Sequence, residues 1–299
     1  MPSGHQYLDP QILAHLPKNI ELIARRLVQG MFVGYHRSPH FGSSVEFADH
    51  RQYYAGDELR TVDWRVWAKH DRYYVKRFVM ESQLKATILM DCSTSMDFSG
   101  DGLSKLEYGC YLAASLCYLI VHQHDMAGLV TFDDSIRDYL PPRGSRSHMR
   151  LILHALERLR TGPQTNVGRI CHHLAETMRA RGMVILISDM LDEPDEILRG
   201  LRHLRSAKHD VIVFQLLDDF ELTLPYRELS DFEDMETGRS TPVDPLAFRR
   251  DYIGRIEEFC SRLREGCIRS NIDYLRVNTS EHIERMLFNY LVFRAKHSR

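Results

Sequence analysis

Residues 85–97, KATILMDCSTSMD, decide the fold. KATILMD is a short apolar run ending in a carboxylate, and a polar turn follows it. Helical spacing then governs residues 104–124, where Leu106, Cys110, Ala113, Leu116, Cys117 and Ile120 share one face. The order is strand, loop, helix, the opening unit of an α/β fold.

The theme recurs outward from this stretch. AGLVTFD at 127–133, MVILISD at 183–189 and VIVFQLLD at 211–218 are apolar runs that each end in Asp. Strands that read as continuous apolar runs are buried on both faces, which predicts a mostly parallel sheet flanked by helices, a Rossmann-like α/β architecture. A helix over 246–265, a strand IDYLRV at 272–277 and a helix over 280–296 complete the pattern. Between Pro225 and Pro245 the sequence alternates around Thr237-Gly238, predicting a β-hairpin inserted at about 223–245. The α/β domain is thus expected over 83–299, preceded by an accessory segment over 1–82 with a helix at 17–28 and an irregular loop at 34–44.

Composition excludes several classes. The 41 acidic and 39 basic side chains nearly cancel, giving no global reason to expect nucleic acid or an anionic membrane as partner. No apolar stretch reaches the roughly 18 residues of a membrane span, and the N-terminus lacks the layout of a signal peptide, so a cytoplasmic protein without membrane insertion is expected. Of six cysteines, the close pairs 110/117 and 260/267 are spaced for neither a redox motif nor zinc, and reduced, buried thiols are predicted. Cys171, His172 and His173 point about 100° apart on a helix and cannot share one ion.

The end of the first core strand carries chemistry. Asp91-Cys-Ser93-Thr-Ser95 places a carboxylate and two hydroxyls at alternate positions, able to turn toward one point. Such oxygens suit a hard cation, Mg²⁺ or Mn²⁺. Thr165, in the turn GPQTNVG before a helix, and Asp189, at the end of MVILISD, are the matching candidates to complete the shell. Carboxyl ends of strands converge on the ligand crevice of a doubly wound sheet, and Asp91 and Asp189 sit at two such ends. Two carboxylates only just neutralise a divalent ion, leaving it electrophilic toward a partner's carboxylate, a binding chemistry. The bland alternative is that Asp91 and the serines merely cap the following turn and helix.

This constellation resembles the metal-ion-dependent adhesion site of von Willebrand factor A-type domains over roughly residues 85–220, with Asp91, Ser93, Ser95, Thr165 and Asp189 as the implied metal ligands. A second resemblance begins upstream. The order F-x-D-x-R-x-Y-x-x-G-D-x-x-R-x-x-D-W from Phe47 to Trp64, then Tyr74-Val-Lys-Arg-Phe and Glu81, is similar to the DUF58 signature. Pro141-Pro142-Arg143-Gly144 and Ile187-Ser188-Asp189 fit it too. The resemblance implies a bacterial von Willebrand factor A-like protein that works as adaptor or co-chaperone with a MoxR-type AAA+ ATPase on a client protein. Many members carry N-terminal membrane helices, for which this sequence has no counterpart.

Rival readings fare less well. Trp64, Trp67, Tyr73, Tyr74 and Phe78 among basic residues suggest a nucleic-acid platform, but Asp49, Asp57, Asp63, Asp71 and Glu81 offset those cations, favouring a structural role. A haloacid-dehalogenase-type phosphatase needs a second Asp two residues after the first, and that position is Ser93. No phosphate loop, dinucleotide fingerprint or hydrolase elbow is present, so no catalytic residue is assigned and no enzyme activity is expected; a metal-dependent hydrolase is the alternative. The acidic arm over 228–236 reads first as a solvated loop and second as a dock for a basic surface.

Overall fold

The computed structural model describes residues 47–53, 66–67, 73–78, 84–162, 165–178, 180–233 and 240–297. The helix expected over 17–28 and the loop over 34–44 lie outside them, as does much of the 47–81 segment. The chain divides into compact units, one over Pro39–Gln83 and another that carries Leu84–Arg299. In the smaller, β1 (Phe47–Gln52) pairs antiparallel with β2 (Tyr74–Phe78). The Tyr73 ring stacks on Trp67 there, 5.9 Å between centroids and 14° between planes.

The larger unit is built on one six-stranded sheet in the order β10-β7-β6-β3-β4-β5. Its strands are β3 (Lys85–Asp91), β4 (Met126–Phe132), β5 (Ile136–Arg143), β6 (Met183–Ser188), β7 (Asp210–Leu217) and β10 (Asp273–Asn278). All neighbours are parallel except β4 and β5. Every strand predicted from an apolar run is present in the parallel part. β5 was not anticipated: IRDYLPPR is charged and holds Pro141 and Pro142, which only an edge strand tolerates, and the edge is where it lies. A separate hairpin pairs β8 (Ser230–Glu233) with β9 (Ser240–Val243).

The sheet splits the core into layers because successive side chains on a buried strand face opposite ways. Ile88 and Met90 join a cluster with α1 (Lys105–His122), α2 (Arg146–Arg158) and α7 (Ile283–His297), while Leu89 points into the cluster of α3 (Val167–Thr177), α4 (Pro194–Ser206) and α6 (Pro245–Arg269). Both faces are thus covered. All six cysteines are buried free thiols. α3 and α4 approach closely through glycines: a Cβ on Gly200 would lie 2.5 Å from the Gly168 carbonyl, and one on Gly168 2.7 Å from the Glu196 carbonyl. That contact seats the start of α3, two residues after Thr165.

Candidate functional site

Parallel pairing of β3 with β6 brings two strand ends, and two carboxylates, to one edge of the sheet. Asp91 closes β3 and Asp189 follows β6, and both are fully buried. Asp91 Oδ1 accepts the Ser93 amide at 2.9 Å, curling the chain so that Ser93 and Ser95 come together with hydroxyls 3.1 Å apart. A 3₁₀ turn over Thr94–Asp97 carries Ser95. Asp91 Oδ2 accepts the Ser188 hydroxyl at 2.5 Å. After Asp189 the chain turns at Met190, whose φ of 63° is a left-handed conformation that a residue with a Cβ adopts at a cost of about 1–2 kcal/mol.

Gly162, three positions before Thr165, is tied to the same edge. Gly162 forms a parallel bridge with Ser93, and its amide donates to the Cys92 carbonyl at 2.8 Å. The Thr94 hydroxyl donates to the Gly162 carbonyl in return. These bonds tie the D-x-S-x-S loop to the segment that precedes α3. Thr165 Oγ1 is buried and has no hydrogen-bond partner among the described residues. A buried hydroxyl left unpaired costs about 1–3 kcal/mol, so a water or a ligand that bonded it would be stabilising.

The site also holds a cation of its own. Lys105, the first residue of α1 after its Ser104 cap, is fully buried. Its ammonium donates to Asp189 Oδ2 at 2.9 Å and to Glu221 Oε1 at 2.6 Å. Glu221 belongs to the short α5 (Asp219–Thr223) that follows β7, and its other oxygen accepts the Asp218 amide at 2.8 Å. Asp189 Oδ1 accepts the Leu191 amide at 3.2 Å, and the Gln215 amide group donates to the Asp189 carbonyl at 3.1 Å.

Electrostatics follow from this packing. Burial first, and the neighbouring Asp189 carboxylate second, push Asp91 up to about 7, against the lowering effect of the Ser188 hydroxyl and the Ser93 amide. Burial alone would depress Lys105, but the carboxylates of Asp189 and Glu221 outweigh it and hold the ammonium above its ordinary value. With all groups ionised, Asp189 and Glu221 share one ammonium and Asp91 lies beside Asp189, which leaves residual negative charge at the strand ends. Paired serine hydroxyls beside the buried Asp91 and Asp189 carboxylates are hard oxygen donors of the kind that suits Mg²⁺ or Mn²⁺.

The family described as "Protein of unknown function DUF58" matches residues 49–258. The chain belongs to the DUF58 family. It is 28% identical over 251 residues to "Uncharacterized protein Rv1480" of Mycobacterium tuberculosis, covering 82% of this chain and 77% of that protein. "Uncharacterized protein Mb1516" of Mycobacterium bovis matches with the same figures. Among solved structures, the DUF58 chain is similar to the conserved hypothetical protein BatB from Bacteroides thetaiotaomicron, with TM-score 0.49, 16% identity, and 71% of this chain and 98% of that chain covered. It is also similar to the SpRpn10 VWA domain, with TM-score 0.38, 13% identity and coverage of 68% and 94%.

In this DUF58 chain, Asp91, Ser93, Ser95 and Asp189 stand together at the strand ends, and Thr165 lies three positions after Gly162, which bridges to Ser93, with no hydrogen bond to any of them among the described residues. Ser188, Lys105 and Glu221 are additional site residues. Lys105 carried a signal: a cation in the first turn of a helix opposes the helix dipole, so it needs another reason to be there. Glu221 lies three positions after Asp218, the spacing of a capping box, and it forms one. His172 faces His203 across α3 and α4 with Nδ1 atoms 2.8 Å apart, away from Cys171, which is buried. Among the described residues no three His, Cys, Asp or Glu side chains cluster as a metal group.

Proposed function

We propose that this DUF58 chain is a metal-dependent protein-interaction module and not an enzyme. Asp91, Ser93, Ser95, Thr165 and Asp189 would hold Mg²⁺, or Mn²⁺ in its place. The single observation that carries this reading is the pair of buried strand-end carboxylates, Asp91 and Asp189, brought to one edge of the sheet beside the paired Ser93 and Ser95 hydroxyls. What such a cation supplies is a coordination position that accepts a carboxylate from another protein. Asp91 and Asp189 contribute charge, the serines and Thr165 neutral oxygen, and Ser188 keeps Asp91 turned toward the edge of the sheet. A group able to shuttle a proton, the second aspartate of a phosphatase, is replaced by Ser93, which supports binding over hydrolysis. The DUF58 resemblance makes a MoxR-type AAA+ ATPase the first partner to test, with the chain as adaptor between ATPase and client.

Two measurements on the full chain test this. Titration calorimetry with Mn²⁺ should detect binding to wild type and none to Asp91→Ala. An immobilised wild-type chain should capture the ATPase in Mg²⁺ and release it in chelator, and Asp91→Ala should fail to capture it. Equal capture in all lanes would overturn metal-dependent binding, and phosphoester turnover that Asp91→Ala abolishes would replace it with a hydrolase.

A further inference from the structure

We propose that Lys105 is a resident cation of the strand-end site, a tethered ammonium that shares Asp189 with any bound divalent ion and thereby keeps that ion's affinity low. This rests on the metal reading above and specifies what regulates it.

Lys105 is an expensive residue to place where it is. Its side chain is wholly removed from water, it lies at the positive end of an 18-residue helix, and both circumstances disfavour a cation. Only the two carboxylates it bridges make the position tenable. Those two come from different elements: Asp189 from the strand end that faces Asp91, and Glu221 from α5 after β7. A lysine needed solely to hold α1 in place would be answered by Glu221, which is 14% exposed at its side chain, without reaching the strand-end site. Instead it takes Asp189 Oδ2, while the Leu191 amide takes Oδ1. Both oxygens of Asp189 are therefore engaged within the chain, and among the described residues Asp91 is the site carboxylate without a cationic partner.

Competition for Asp189 gives opposite signs to two substitutions. Removing the ammonium frees Asp189 and restores full negative charge to the site, so a divalent ion should bind more tightly. Removing the Glu221 charge leaves Asp189 as the sole anion of Lys105, so the ion should bind more weakly. Glu221 is thus a positioning residue that acts through Lys105.

The test is Mn²⁺ titration of the full chain by calorimetry, with electron paramagnetic resonance of free Mn²⁺ as a second readout, on wild type, Lys105→Met, Glu221→Gln and Asp91→Ala. Lys105→Met should tighten Mn²⁺ binding about tenfold or more, and Glu221→Gln should weaken it by a similar factor. Lys85→Met, at the exposed opposite end of β3, should leave it unchanged. Circular dichroism and thermal melts establish that each variant is folded, and Glu221→Gln, which keeps the Lys105–Asp189 pair, supplies the decision if Lys105→Met does not fold. Wild type that binds Mn²⁺ through Asp91, with Lys105→Met unchanged or weaker, or Glu221→Gln unchanged, overturns the role of Lys105 alone. No Mn²⁺ binding in wild type or in either variant overturns the metal reading and this inference with it.

Discussion

Ser188 Oγ lies 2.5 Å from Asp91 Oδ2, across the parallel pair β3 and β6, and the same oxygen accepts the Met190 amide at 2.9 Å. One hydroxyl therefore donates to the first carboxylate of the site and accepts from the backbone turn that positions the second. Both residues are fully buried, so no water competes for these bonds. The two strand ends are fastened to each other through a side chain that is not itself a proposed ligand.

Ser188→Ala removes both functions at once. It leaves an Asp91 oxygen and the Met190 amide unpaired away from water, which should cost about 1–3 kcal/mol of folding stability. Urea unfolding in chelator measures this, and a loss under about 0.5 kcal/mol would mean that the hydroxyl contributes little beyond filling space.

Asp91 should make the metal-free protein less stable as pH rises. Its folded value is raised from 3.8 to about 7 by burial and by Asp189, so between those values the folded chain keeps a proton that the unfolded chain releases. The contribution is fully present below the unfolded value and is lost as pH climbs through the folded one, with a slope no steeper than about 1.4 kcal/mol per pH unit for one proton. Urea midpoints of wild type and Asp91→Asn, in chelator from acidic to mildly alkaline pH, should diverge, with wild type losing ground as pH rises from 3.8 to about 7 and the difference levelling off above that. Parallel profiles would show that Asp91 is ionised without penalty. Saturating Mg²⁺ should flatten the wild-type curve if the site binds it.

How far the sequence could be read depended on whether burial left a mark in residue type. The parallel strands are legible because their positions are apolar on both faces, as in Ile88, Leu89 and Met90. β5 is not, since an edge strand with Arg137, Asp138 and paired prolines resembles a loop by composition. Asp91, Ser93 and Ser95 are legible because they are close in sequence and polar where an apolar run stops. Lys105 and Glu221 are far apart in sequence and each has an ordinary local explanation, a solvated first-turn lysine and a helix cap. Only the fold brings them to Asp189, through the placement of α1 and α5 at adjacent strand ends.

Gly200→Ala should damage the site from the far side of the sheet. A methyl group there would meet the Gly168 carbonyl at 2.5 Å and Cys171 Cβ at 2.8 Å, so α3 and α4 must separate. Overpacking of this kind costs about 1–3 kcal/mol, and movement of α3 displaces Thr165 at its start. Thermal unfolding should report the first effect and Mn²⁺ titration the second. Unchanged melting would mean that the helices can part without loss.

Thr165 permits the sharpest separation of stability from binding. Thr165→Val keeps the shape and deletes the unpaired hydroxyl, so metal-free stability should hold steady or rise by about 1 kcal/mol, the reverse of most buried polar-to-apolar changes. Mn²⁺ affinity should fall, but less than in Asp189→Ala, because a neutral ligand is lost instead of a charge. Asp189→Ala should in addition destabilise the metal-free protein by about 3–5 kcal/mol, since it strips one partner from the buried Lys105 ammonium. Unfolding and titration on the same three proteins therefore rank them in different orders. A Thr165→Val protein that is destabilised yet binds Mn²⁺ as wild type does would show that the hydroxyl serves the fold and faces no ligand.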